Sequence, residues 1–241
     1  FFRVSLVYGV GTLIYTEHMS GSENTETINT ARTPTEQIAT SILHDSIGKD
    51  VRHITRFPTG LANYVYDVTT TTGEQLVIRI PRPDLKTFVE GALYWYPYLK
   101  DKDVPLPNLL FSEGREQTFG FPVMIMERLQ GTDLGEVYGQ LSSSQRQKLA
   151  DQIITIQSRV STLPHASGYG YARSYEDPAL KSSWLALLDE KLGRSERRIK
   201  EAGIVDVTVI DKVKDAIHGH ADYFNSVEPV AFLDDTTTKN V

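Results

Sequence analysis

The sequence predicts an α+β protein of two lobes, on three observations. From 51 to 80 the apolar residues repeat with period two, as in half-buried strands. Two further strand-like runs, 108–112 and 121–128, are separated from the first group by one amphipathic helical segment. After Gly131 the periodic segments read as helices. A boundary is expected near 129–131. It divides the chain into a flexible or non-native arm (1–33), an N-terminal lobe (34–129) and a helical C-terminal lobe (130–241).

Each element has a local cause. The stretch 20–33 is polar with no apolar period and reads as a flexible arm. Thr33, Pro34 and Glu36 form a capping-box pattern, and Ile38, Ile42, Leu43 and Ile47 follow at helical spacing, which predicts a helix over 34–48. The β-rich runs 64–69 and 75–80 flank a Thr-rich turn that ends at Gly73, so they predict a hairpin. Pro81 and Pro83 close it. Leu85, Phe88, Val89, Ala92, Leu93 and Tyr96 mark one face of a helix over 84–100. Further on, Leu149, Ile153, Ile156, Val160 and Leu163 alternate steps of four and three behind an N-cap supplied by 142–144. Helices are expected over 179–202 and 207–224, and a short apolar strand over 230–233.

Composition narrows the function classes. The formal net charge is −6, spread evenly, so no basic face points to nucleic acid. There is no cysteine, which excludes disulfides and thiolate metal sites and fits a reducing cytoplasm. The first apolar run, 1–15, contains Arg3 and falls short of the about 20 residues a membrane helix needs. Residues 1–18 are expected to be foreign to the protein, with a short native helix or strand as the alternative. No membrane partner is expected, and the oligomeric state is left open.

Several residues could carry chemistry, and each has a plainer reading. Gly60 and Asn63 lie between two predicted strands, where glycine lets backbone N–H groups approach an anion; an ordinary hairpin turn would look the same. Arg79 sits inside a strand and Glu90 in the following helix, and both could be solvated surface residues. Met126, Glu127 and Leu129 end a strand just before Gly131, which could be a buried strand end. Asp235 and Asn240 have four residues between them, as in a kinase catalytic loop; an Asx-type turn is the alternative.

Taken in this order, the residues resemble the aminoglycoside phosphotransferase family, which shares the protein-kinase fold. The resemblance covers about 35–241. It implies a kinase-like, two-lobed α+β fold with an N-terminal sheet lobe holding one key helix. It also implies transfer of the γ-phosphoryl group of ATP, with Mg²⁺, to a hydroxyl of a small molecule, an aminoglycoside being favoured. In that frame Arg79 anchors the nucleotide phosphates and Glu90 pairs with it. Gly60 and Asn63 cover the phosphates. Met126, Glu127 and Leu129 hold adenine, the last two through backbone groups. Asp235 is the base and Asn240 a Mg²⁺ ligand. The chain departs from the family in Arg79, where a lysine is usual, and in Leu233-Asp234, where His-Gly is usual; the latter leaves Asp234 as an alternative base. The resemblance further implies a second metal-binding aspartate downstream of Asn240. The chain ends at Val241, so a fragment with an incomplete helical lobe, inactive by itself, is expected. The rival reading is a nucleotide-binding or scaffolding protein of the same fold without transferase activity.

Overall fold

The computed structural model describes residues 34–57, 63–82, 86–114 and 118–233. Among them the chain divides into two compact units, one made of the described residues up to Ile156 with Leu233, the other Gln157–Phe232.

The first unit is organised by a five-stranded antiparallel sheet. Its strands are β1 (Val51–Arg56), β2 (Asn63–Thr70), β3 (Gln75–Pro81), β4 (Leu109–Glu113) and β5 (Val123–Glu127), arranged β1-β2-β3-β5-β4. Helix α1 (Glu36–Ile47) precedes the sheet, and α2 (Lys86–Asp101) connects β3 to β4. Strand β3 is central, with Leu76, Val77, Ile78, Ile80 and Pro81 buried and Arg79 half-buried. Its alternate residues serve two layers. Leu76, Ile78 and Ile80 pack with Tyr66, Val68 and Ile125 and with Ala39, Ile42 and Leu43 of α1. Val77 packs with Met124 and Met126 and with Val89 and Ala92 of α2. A sheet covered on both faces needs largely apolar strands, which explains why β3 and β5 are apolar at most positions.

The turns and caps follow from single residues. The first helix is capped by Thr35, whose hydroxyl accepts from the Ile38 N–H at 3.3 Å, two residues later than the predicted Thr33. Pro34 is thereby left outside the helix, and its carbonyl accepts from the Tyr66 hydroxyl at 2.7 Å. Gly48 ends α1 in the left-handed region, φ 65°, which a residue without Cβ adopts at little cost. The β2–β3 hairpin turns at Gly73, φ 91°, with Glu74 bonded to Thr70 and paired with Lys49.

After β5 come α3 (Leu134–Val137) and α4 (Ser143–Val160). Ser142 and Gln145 cap α4 reciprocally: the Gln145 N–H donates to Ser142 Oγ, and the Ser142 N–H to Gln145 Oε1. The stripe predicted for this helix is the inward one, with Ile156, Val160 and Leu163 buried.

In the second unit α5 (Trp184–Ala202) packs with α6 (Thr208–His218) and α7 (Ala221–Ser226). Glu196 of α5 binds Lys200 and also Lys214 of α6, and His218 meets Asp189 at 2.8 Å. Three expectations are corrected here. The helix predicted over 179–202 starts at Trp184, because Lys181 is bridged to Tyr169 and Leu180 donates to the Asp177 carbonyl, leaving Ser183 as the cap. The helix predicted over 207–224 is two, interrupted at Gly219 and His220, where glycine lowers helix propensity. Residues 230–233 form no strand; Val230 and Phe232 are exposed, and among the described residues no strand pairs with them.

Candidate functional site

The site is built from the α2-facing side of the sheet. In β3, Arg79 lies opposite Val65 of β2 and Met124 of β5. Period two puts it on the same face as Val77. It is half-buried and lines a cleft with Ala92 and Tyr96 of α2, Leu109 of β4, and Met124 and Met126 of β5. The reading of Arg79 as an outward, solvated residue does not hold: its guanidinium stem is enclosed by apolar side chains. Tyr96 fixes the far side of the cleft, donating to the Pro107 carbonyl at 2.9 Å and accepting from the Leu109 N–H at 3.1 Å.

Glu90 departs from its expected geometry. It is exposed on α2, and among the described residues no ion pair joins it to Arg79. The buried face of α2 is set by Val89, Ala92 and Leu93, which leaves Glu90 to one side, next to Gly114 beyond β4. Bringing it to Arg79 needs a movement of the helix or a change of rotamer.

The segment leaving β5 is held from both sides. The Glu127 carboxylate accepts from the Asn108 backbone N–H and from its Nδ2, both at 2.9 Å, and the Glu127 N–H donates to the Asn108 carbonyl. Arg128 donates its N–H to the Gln75 carbonyl at 3.0 Å and sets Nε 3.2 Å from Asp67 Oδ1 in β2. The Glu127 N–H is therefore committed within the protein, which leaves its carbonyl as the backbone group to serve a base. The Leu129 N–H makes no backbone hydrogen bond among the described residues. Met126 is buried in the α2-side cluster.

The remaining expected residues are placed as follows. Asn63 starts β2, half-buried, opposite Pro81. Gly60, Asp234, Asp235 and Asn240 lie outside the described residues. Among the described residues no three His, Asp or Glu side chains gather to hold a metal ion. Also among them, no helix is long and apolar enough to cross a membrane.

The sequence reading missed Asn108, Asp67 and Arg128. Asp67 did carry a signal: it is a lone carboxylate inside Tyr64-Val65-Tyr66-Asp67-Val68, in a strand whose alternate residues are buried on opposite faces of the sheet. A charge at such a position needs a partner.

A five-stranded antiparallel sheet followed by helices, with Arg79 enclosed on the α2 face, defines an α+β fold. The sequence model of the Phosphotransferase enzyme family matches residues 53–225, and the chain belongs to that family. Solved structures agree in fold. APH(2")-IIia, in complex with GDP and kanamycin, is 13% identical with a TM-score of 0.59, over 83% of this chain and 65% of that one. The wild-type aminoglycoside 2'-phosphotransferase-IIIa, in complex with GDP, is 16% identical with a TM-score of 0.55, over 77% and 58%. APH(2")-IIa, in a ternary complex with streptomycin and ATP, is 14% identical with a TM-score of 0.51, over 78% and 58%. The chain thus spans about six-tenths of the length of these structures. No curated protein sequence matches it. The fold is the α+β, protein-kinase-like one expected from the sequence.

Proposed function

We propose that the chain carries the nucleotide-binding part and catalytic loop of a kinase. It would transfer the γ-phosphoryl group of ATP to a hydroxyl of a small molecule, an aminoglycoside-like acceptor being favoured. Family membership supports the reaction class. The complexes of the structural neighbours with GDP or ATP and with kanamycin or streptomycin support the nucleotide and the acceptor class.

The observation that supports this most is the setting of Arg79, held in an apolar cleft beneath the sheet. Phosphoryl transfer depends on positioning and charge neutralisation rather than covalent chemistry on the protein. A guanidinium enclosed by Met124, Met126 and Tyr96 meets phosphate oxygens with little competition from water, so its charge acts more strongly than at the surface. The Leu129 N–H supplies a donor for the base, and Met126 and the Glu127 backbone carbonyl line the same end. Gly60 and Asn63 flank the phosphates. Asp235 takes the proton of the acceptor hydroxyl as its oxygen bonds to the γ-phosphorus and the bond to the β-phosphate oxygen breaks, releasing ADP. Asn240 is the proposed amide ligand to Mg²⁺, whose chemistry is neutralisation of phosphate charge. Glu90 completes the set only when α2 carries it to Arg79.

Charge-assisted hydrogen bonds contribute about 1.5–3 kcal/mol each, so Arg79→Ala should weaken ATP binding roughly 10- to 100-fold in a titration calorimeter. ATP affinity unchanged in that variant rules out the anchor role. Where the chain shows acceptor-dependent turnover against a panel of aminoglycosides and small alcohols, Asp235→Asn should lower it on the order of 10²- to 10⁴-fold. The missing Arg79–Glu90 pair favours a second reading, a nucleotide-binding protein without transfer. That reading prevails if ATP binds and no acceptor stimulates ADP release.

A further inference from the structure

The segment 127–129 is fastened by two side chains of opposite charge, and the second fastening has no role so far. Arg128 reaches away from Asn108 towards β2. Its Nε lies 3.2 Å from Asp67 Oδ1, and its guanidinium carbon lies 6.0 Å from the centre of the Phe57 ring. Tyr66 and Val68 belong to the α1-side core, so Asp67 between them turns to the face that holds Val65 and the α2-side cluster. Asp67 Oδ1 has no accessible surface and accepts no hydrogen bond among the described residues. Arg128 is the charge that neutralises it. Phe57 donates its N–H to the Val65 carbonyl and is the last described residue before 58–62, the stretch that contains Gly60.

From this geometry we infer that Arg128 is a positioning residue for the nucleotide base. The inference rests on the nucleotide reading above. Residue 128 is pinned at two places, its N–H on Gln75 and its guanidinium on Asp67, so the next N–H, that of Leu129, is presented in one direction. Arg128 therefore orients the donor for the base without touching the nucleotide. Removing it leaves the phosphate anchor intact and loosens the base.

Two features separate such a role from plain support of the fold. The affinity lost is the same for adenosine, AMP and ATP, because only the base is affected; a phosphate contact loses more as phosphates are added. The paired substitution Asp67→Asn with Arg128→Gln removes both charges, so no uncompensated carboxylate is left behind. The test is titration of adenosine, AMP and ATP into the full chain, the paired variant, Arg128→Lys and Arg79→Ala, with melting followed in parallel. Lys49→Met, which breaks the exposed Lys49–Glu74 pair, is the control for stability alone. The expected result is a loss of roughly 5-fold, the worth of one hydrogen bond to the base, equal for the three ligands in the paired variant and partly restored in Arg128→Lys. Arg79→Ala should instead lose most for ATP, and Lys49→Met should bind normally. A folded paired variant with wild-type affinities overturns the inference and leaves the nucleotide reading standing. A loss that grows with phosphate number also overturns it. A wild-type chain that binds none of the three overturns both. If the paired variant does not fold, Arg128→Lys carries the test through amide exchange. ATP should slow exchange at 127–129 in the wild type and slow it less in the lysine variant, and equal slowing overturns the inference.

Discussion

Tyr66→Phe isolates one bond between the start of α1 and the middle of the sheet. Tyr66 is wholly buried, and its hydroxyl donates to the carbonyl of Pro34, also buried, at 2.7 Å. Phenylalanine keeps the ring and its packing in the α1-side core, so the change removes an O–H and leaves a buried carbonyl short of a donor. Such an orphaned acceptor costs about 1–3 kcal/mol. With roughly 2–4 °C of melting temperature per kcal/mol for a chain of this size, a drop of about 2–12 °C is expected. Scanning calorimetry on the full chain measures it. A second readout follows from the phenol itself. Burial, the largest cause, raises its pKa above the ordinary 10.0. A raised folded value means that its stabilisation is complete below pH 10 and is lost as pH climbs through the folded pKa. The gap between wild type and variant should therefore narrow in strong alkali. A variant that melts within about 1 °C of wild type at neutral pH refutes the assignment of this hydroxyl as a tie.

Two further predictions concern the second unit. A Cβ at Gly168 would lie 2.3 Å from the Lys181 carbonyl oxygen, so Gly168→Ala should open the Tyr169–Lys181 bridge and cost about 2–4 kcal/mol; limited proteolysis across 168–181 checks it, and wild-type resistance contradicts it. Asp177 is held well below its ordinary 3.8, first by the Arg173 side chain and then by the backbone N–H groups of Ala179 and Arg173. A depressed carboxyl contributes stability that is present above its unfolded value and lost as pH falls through the folded one, so denaturant midpoints should decline from pH 4 downward. Asp177→Asn should be less stable at neutral pH and decline less steeply in acid. Glu196, held at about 2 by Lys200 and Lys214, titrates in the same window and accounts for slope that remains. An unchanged acid profile in Asp177→Asn counts against the clamp.

Much of the first unit could be read from periodicity, because its strands and α2 each cover a face with apolar residues of one period. Helix ends were harder. Thr33 and Thr35 offer the same hydroxyl, and the choice of Thr35 depends on Tyr66 claiming the Pro34 carbonyl from a strand far along the chain. Residues 179–183 have helical composition, yet the Asp177 carboxylate and the Tyr169 bridge recruit them into a loop. For the site, order along the sequence singled out Arg79, and the register of β3 accounts for its enclosure. It could not distinguish an inward Glu90 from an exposed one, since that depends on the rotation of α2. Asn108 and Arg128 were silent because their partners, Glu127 and Asp67, are brought to them only by strand pairing and by the path of the chain after β5.

The strand order also bears on how the chain is made. Strands β1, β2 and β3 follow one another as neighbours, so they can pair as they leave the ribosome. The other edge of β3 waits for β5, Leu76 meeting Glu127 only after α2 and β4 have been synthesised. At roughly 5–20 residues per second, that edge of a largely apolar strand stays unpaired for seconds. Unpaired apolar edges invite pairing with other chains. Substitutions that weaken β5 should consequently reduce the yield of soluble protein before they reduce the melting temperature of what survives. Nascent chains halted before β5 should be retained by a chaperone, and chains halted after α3 should be released; equal retention of the two would place the vulnerable step elsewhere in synthesis.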